Sequence, residues 1–257
     1  MSDKLVSAIL SYGNRYREEI LRRDYTEAQL LSNWWDATKF FLGRAFFQGR
    51  RDDVSQKVHD TALKILEAYF AHEHSMLRYQ RMRETNWQDL RQELYQNIGK
   101  GKVGKPRDVE MVVSTLEFIG RLENLNIVAY SVKRIKGGEI AKHYEEIQHT
   151  KNKSGIVQVG PKIASFYLRD AVSLFELESN VADDFQFCLQ PIDIWVRKFA
   201  IKTGIVPHNT TDEQIRSAII GVCRERACSP LQFNQGAWYC GYFAFDLLLE
   251  SLMAQGA

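Results

Sequence analysis

The chain has 257 residues, 45% of them hydrophobic, with 34 Lys or Arg against 32 Asp or Glu and a net charge of +2. That length and apolar share allow one large domain or two small lobes with a sizeable core, and they exclude a disordered or fibrous chain. A charge so near zero does not advertise a nucleic-acid binder, so any such role must rest on local clusters.

The opening segment, MSDKLVSAILSYGNRYREEI, turns charged before an apolar h-region forms. No signal peptide is therefore expected, and no apolar run approaches a bilayer-spanning length. A cytoplasmic location follows as the expectation. Thr26-Glu27-Ala28-Gln29 is a capping box ahead of LLSNWWDATKFFLGRAFF. Leu30, Trp34, Ala37, Phe41 and Ala45 recur there at helical spacing, which predicts one helix. Val54, Val58, Ala62, Ile65 and Tyr69 make a second stripe. His72 and His74 lie two apart, a spacing that splays them on a helix and argues against a shared metal.

Helices are predicted over 87–98 and 109–121. Three basic clusters follow in this region: Lys100, Lys102, Lys105 and Arg107; Lys133, Arg134 and Lys136; Lys151 and Lys153. Segment 98–153 carries eleven Lys/Arg and seven Asp/Glu, a net +4. Solvated loops explain such clusters, and so does a phosphate-binding patch. Thr211-Asp212-Glu213-Gln214 is a further capping box, and Ser229-Pro230-Leu231-Gln232 another, with proline at the tolerated first position of a last helix reaching about 252. Loops are expected near 52, 99–106, 137–138, 151–155, 179–190 and 205–210. No period-2 strand is present, so the expected class is all-α, with roughly ten helices. Residues 1–257 read as a single unit of two helical lobes with a cleft. Cys188, Cys223, Cys228 and Cys240 are scattered, form no C-x-x-C pair and read as reduced, buried thiols rather than metal ligands.

The segment VQVGPKIASFYLRD holds the sharpest local signal. Proline favours the first helical position, so Gly160 reads as N-cap and Lys162 falls in the first turn. There the positive end of the helix dipole opposes its charge. Ile163, Phe166, Tyr167, Ala171 and Leu174 supply a buried stripe whose edge lies beside Lys162. Both conditions push a lysine towards its neutral, nucleophilic form. An exposed lysine at a helix start is the plainer reading. The preceding KNKSGIVQVG forms a tight hairpin between two helices, able to aim backbone N–H groups at a phosphate, with Lys151 and Lys153 adding charge. Further on, LQPIDIWVRKFA places Asp193 at the N-cap of the next helix.

VQVGPKIA followed by PIDIWVRKF resembles the helix–hairpin–helix DNA glycosylase superfamily, whose members show a G-V-G-x-K-like hairpin end and a P-V-D-x-x-V-x-R-like element. The resemblance covers about 155–199 well and extends to 229–241. It implies the two-lobed fold of that superfamily, with the hairpin and catalytic segment at about 150–200. It also implies Lys162 as nucleophile and Asp193 as the essential carboxylate. The long Lys162–Asp193 separation resembles the archaeal-type 8-oxoguanine glycosylase/AP lyase branch. That branch carries a late helix with an aspartate four residues before a tryptophan, both at the base pocket; here SPLQFNQGAWYCG places Asn234 and Trp238 at those positions. Two departures stand out: Gln158 replaces a usual hairpin glycine, and the neutral Asn234 replaces an acid.

The resemblance implies a monomeric enzyme acting on double-stranded DNA, nucleoid-associated in the cytoplasm and without a metal or organic cofactor. Gln158, Val159, Gly160 and Lys153 would hold the backbone, and Trp238, Asn234 and Gln235 the flipped base. Three other functions compete: a glycosylase removing a naturally modified base, such as a modified cytosine, from phage DNA; a non-catalytic hairpin module that only binds DNA structure; and an all-helical interaction protein.

Overall fold

The computed structural model describes residues 1–47, 50–70, 87–101, 103–150 and 153–254, with backbone only at 244–250 and 252–254. His72, His74, Lys102 and Lys151 lie outside the described residues. Among the described residues there is no strand, only an isolated bridge between Gln148 and Ile156, so the chain is all-α. No described helix is long and apolar enough to cross a membrane.

The chain divides into two compact units. One comprises 1–26, 135–140 and 168–257; the other comprises 27–134 and 141–167.

The first unit is built on α1 (Asp3–Tyr16), α10 (Ile194–Lys202), α11 (Asp212–Glu225) and α12 (Pro230–Ala254). Ser2 caps α1, and past Tyr16 the helix widens into a π turn over Arg17–Leu21. Leu5, Val6 and Ile9 of α1 meet Val196, Phe199, Ile215, Ile219, Phe233 and Ala237 in one core. Two glycines set how closely α1 and α12 approach. A Cβ on Gly236 would lie 1.9 Å from the Ile9 carbonyl oxygen, and one on Gly13 would lie 2.2 Å from that of Gln232. Only a hydrogen fits at either position.

The expected caps are present here, with one variation. Thr211 and Gln214 form the full reciprocal capping box. Ser229 Oγ accepts the Gln232 N–H at 2.9 Å, but the Gln232 side chain reaches α1 instead, donating to the Leu10 carbonyl and Asn14. Between Leu174 and Asp193 the chain makes two 3₁₀ turns, Glu178–Asn180 and Asp183–Leu189. All four cysteines are free thiols, with Cys228 the least buried.

The second unit holds α2 (Glu27–Ser32), α3 (Trp34–Ala45), α4 (Asp52–Phe70), α5 (Gln88–Leu94), α6 (Pro106–Gly120), most of α7 (Ile127–Lys136) and α8 (Ile140–Ile147), and the start of α9 (Pro161–Leu174). The division falls within α9, after Tyr167. Leu30, Trp34, Ala37, Phe41 and Ala45 are all buried, as their spacing predicts. The single helix expected over them is broken, however. Asn33 takes an extended conformation and its Oδ1 accepts the Trp35 and Asp36 N–H groups, so it caps α3 and ends α2. Trp34 meets Phe70 edge-on at 5.3 Å, and Phe41 meets Tyr167 at 4.9 Å, tying α3 to α4 and α9. Arg50 clamps the start of α6 by a bidentate bond to the buried Asp108, 2.8 Å on each arm.

Candidate catalytic elements of the two units

In the second unit the hairpin between α8 and α9 is closed by backbone bonds. Ile156 N–H donates to the Ile147 carbonyl at 3.0 Å, and His149 N–H to that of Val159 at 3.2 Å. Gly155 is required by sterics, since a Cβ would lie 2.4 Å from the Gln148 carbonyl oxygen. Two contacts fasten the loop to α6: Val157 N–H donates to Ser114 Oγ at 3.0 Å, and Arg121 donates to the Ser154 carbonyl.

At the tip, Val159 N–H returns to the Ile156 carbonyl at 3.0 Å, making a four-residue turn. Gln158 is its third residue, with φ +67°. A positive φ at that position alone is the pattern of a type II turn, which ordinarily calls for glycine. Glutamine therefore holds a glycine conformation here.

The hairpin's proposed phosphate contacts are placed unequally. The Val159 amide is spent on the turn and the residue is buried. The Gln158 and Gly160 amides make no hydrogen bond among the described residues. Gly160 faces open space, with nothing within 4 Å of a built Cβ. Lys153 is exposed. Lys162 is the second residue of α9 and half-buried, with Ile163 and Ala164 buried behind it. Its charge is felt by Asp52 at the start of α4. Burial raises the Asp52 pKa, Lys162 lowers it and Asp53 raises it, for a net upward shift.

A second polar array in this unit was not anticipated. His143, fully buried, sits with Nε2 2.7 Å from Ser131 Oγ and Nδ1 3.3 Å from Glu146. Ser131 Oγ also lies 2.7 Å from the Tyr167 hydroxyl and 2.7 Å from the Ile127 carbonyl. The order serine–histidine–carboxylate suggests a hydrolytic triad. Ser131 is fully buried and bonded to the backbone, so it offers no attacking oxygen. This array locks α7, α8 and α9 together. Its signal was a lone histidine, His143, on the apolar face of α8.

In the first unit Asp193 caps α10: its Oδ1 accepts the Trp195 and Val196 N–H groups, each at 2.9 Å. The residue is half-buried. Beside it lies a cluster absent from the sequence reading. Arg169, 1% exposed, donates twice to Asp170 Oδ1 (3.0 and 2.8 Å), once to the Tyr16 hydroxyl (2.8 Å) and once to Asn234 Oδ1 (2.9 Å). Tyr16 in turn donates to Asp170 Oδ2 at 2.8 Å. Burial opposes the Arg169 charge, but Tyr16, Asp170 and Asp193 outweigh it and hold the guanidinium pKa above its ordinary value. The available signal was an adjacent Arg169-Asp170 pair inside the apolar stripe of α9.

The three base-pocket candidates divide. Asn234 is fully buried with its amide occupied at both ends, by Arg169 and by the Pro191 carbonyl (3.2 Å). Trp238 is half-buried, edge-on to Tyr16 at 5.3 Å and stacked on the exposed Tyr242 at 4.9 Å. Gln235 faces another way, into a cavity of about 470 Å³ within the same unit. Asp193, Asn234 and Trp238 are thus linked through Arg169 and Tyr16, whereas Lys162 and the hairpin belong to the other unit. Among the described residues, no group of three His, Cys, Asp or Glu side chains is placed to hold a metal ion. The chain matches no protein-family description, no curated protein and no solved structure.

Proposed function

We propose that this chain is a bifunctional DNA glycosylase/AP lyase of the two-lobed helix–hairpin–helix type, with 8-oxoguanine-type bases as its first target class. The observation that carries the reading is Gln158. The turn leading into Lys162 holds a left-handed residue where the resembled superfamily uses glycine. Glutamine thus stands in a left-handed conformation that glycine adopts freely. Gly160, open to its surroundings at the start of α9, suits a phosphate.

In this reading the nucleotide is flipped from the duplex and both Lys162 and Asp193 act on its sugar. The neutral Lys162 amine attacks C1′. The glycosidic C–N bond breaks, its electron pair leaving with the base, which takes up a proton. The attached nitrogen gives up one proton, the C1′–O4′ bond breaks with its electron pair and a proton going to O4′, and a protonated Schiff base results. Loss of a C2′ proton then breaks the C3′–O bond and nicks the strand. The Asp193 carboxylate stabilises the positive charge that develops on the sugar and receives a lysine proton. Arg169 lies at electrostatic range of Asp193. Trp238, half-buried beside Tyr16 and Tyr242, is the aromatic side chain assigned to the flipped base.

A second reading, removal of a naturally modified base from phage DNA, is favoured by one observation. The Asn234 side chain is fully buried and bonded to Arg169 and the Pro191 carbonyl, so it presents no surface to a base. Base release from duplexes carrying 8-oxoguanine or hypermodified cytosine separates the two. Asp193→Asn should bind either duplex yet excise about 10²–10⁴-fold more slowly. Full turnover by that variant refutes the assigned role, and DNA binding without base release from any duplex points to a non-catalytic module.

A further inference from the structure

The corner between α11 and α12 carries two cysteines in one turn. Past Glu225, α11 closes with the paired backbone bonds of a Schellman motif. The Cys228 N–H donates to the Cys223 carbonyl at 3.0 Å, and the Ala227 N–H donates to that of Arg224 at 3.2 Å. Ala227, with φ +49°, is the left-handed residue that this motif requires. The motif folds the chain back, so the side chain just past the turn packs on one from the last turn of the helix. Here those two side chains are Cys228 and Cys223.

The corner is held from both sides, entirely within the first unit. Arg226 donates to the Met1 carbonyl at 2.9 Å. Ser229 Oγ caps α12 and lies 2.7 Å from each Glu178 carboxylate oxygen. The two thiols differ in access: Cys223 is fully buried and Cys228 is partly exposed. Burial pushes the Cys223 thiol up. The Cys228 sulfur, in hydrogen-bonding reach, pushes the same way, as does Glu178, and Arg226 opposes them. Cys223 therefore rests as a protonated thiol behind Cys228, the sulfur that a solute meets first.

We propose that Cys223 and Cys228 form a dithiol oxidation site, closed to a disulfide by a peroxide and reopened by a dithiol reductant. The Cys228 sulfur attacks a peroxide oxygen and the O–O bond breaks. One water leaves with the thiol proton, and Cys228 becomes a sulfenic acid. The Cys223 sulfur then attacks the Cys228 sulfur and gives up its proton. The S–O bond breaks, and the hydroxyl departs with that proton as a second water. Two electrons pass from the sulfurs to the peroxide. The motif already sets the two side chains together, so the bond forms without rearranging the helices. It ties the last turn of α11 to the entry of α12. The proposal stands whether or not Lys162 acts on DNA.

Peptide mapping of the full chain provides the test. The native protein is treated with hydrogen peroxide, quenched with catalase, unfolded, blocked with N-ethylmaleimide and cut with trypsin without reductant. Trypsin cuts after Arg224 and Arg226, so a disulfide joins two peptides that otherwise separate. The expected product is that joined pair, lighter by two hydrogen atoms than the sum of its parts, with both thiols recovered after dithiothreitol. Cys188 and Cys240, both fully buried, should still be blocked as thiols. In Cys228→Ser, Cys223 should remain fully blockable under the same treatment. In Cys223→Ala, the Cys228 sulfenic acid should accumulate and be captured by dimedone. Sulfinic acid at wild-type Cys228 with Cys223 still blockable, a disulfide joining Cys228 of two chains, or a treated chain that keeps all four thiols overturns the proposal. The wild-type map is decisive whatever the stability of either variant.

Discussion

Replacing Gln158 by glycine should stabilise the hairpin that precedes Lys162. At φ +67° an L-residue sits in the left-handed region, at a cost of about 1–2 kcal/mol. Glycine removes that cost but returns about 0.5–1 kcal/mol through its greater freedom in the unfolded chain. The half-buried Gln158 side chain makes no hydrogen bond among the described residues, so little else is lost with it. The net expectation is a gain of about 0.5–1 kcal/mol. Urea unfolding should show a higher midpoint at unchanged slope, and amide exchange at Ile156 and Val159, the donors that close the hairpin, should slow. Gln158→Ala keeps the strained φ and should gain nothing, while the β-branched Gln158→Val should lose about 1 kcal/mol. A glycine variant less stable than wild type, or an alanine variant that gains as much as glycine, would refute the assigned turn geometry.

Three further outcomes test the two cores. Arg169→Met strands the buried Asp170 carboxylate and should cost about 3–5 kcal/mol in urea unfolding, whereas adding Asp170→Asn should recover much of the loss; equal stability of the single and double variants contradicts the pairing. Burial lowers the His143 pKa against the opposing pull of Glu146, and nearby Arg134 lowers it further. The unfolded state therefore binds the extra proton, so this contribution is complete above about pH 6.5 and is lost as pH falls below it. Stability compared at pH 7.5 and 5.5 should fall for wild type and fall less for His143→Gln. Burial pushes the Cys240 thiol up to about 11 and raises Cys223 further, so neither should alkylate in the native protein at pH 8 while both do after unfolding; rapid native labelling of Cys240 contradicts its burial.

How far the sequence foretold these features depended on whether the signal was local. The stripes of α3 and α4 are set by apolar spacing, and Val58, Ala62 and Ile65 are buried where the period puts them. The break at Asn33 is a contest between an apolar stripe that continues and a side chain that competes for backbone N–H groups. The side chain wins, and the Asn33-x-x-Asp36 spacing was its visible trace. No element was assigned before Thr26, although Leu5, Val6, Ile9 and Tyr16 trace the buried face of α1. The hairpin, the first-turn place of Lys162 and the capping by Asp193 were legible because proline, glycine and aspartate act on their immediate neighbours. The Arg169–Asp170–Tyr16–Asn234 cluster was not. Periodicity cannot report that a charged pair is buried, because its partners come from residues about 150 positions away in α1 and about 65 away in α12. For the same reason the bonds of Asn234 to Arg169 and to the Pro191 carbonyl were not legible in the sequence.

Covalent trapping tests the central claim most directly. Wild-type protein incubated with borohydride and a duplex carrying 8-oxoguanine, a hypermodified cytosine or an abasic site should yield a stable protein–DNA adduct through Lys162, absent from Lys162→Gln. Failure of wild-type protein to trap any of these duplexes, or an undiminished adduct with Lys162→Gln, would contradict the account.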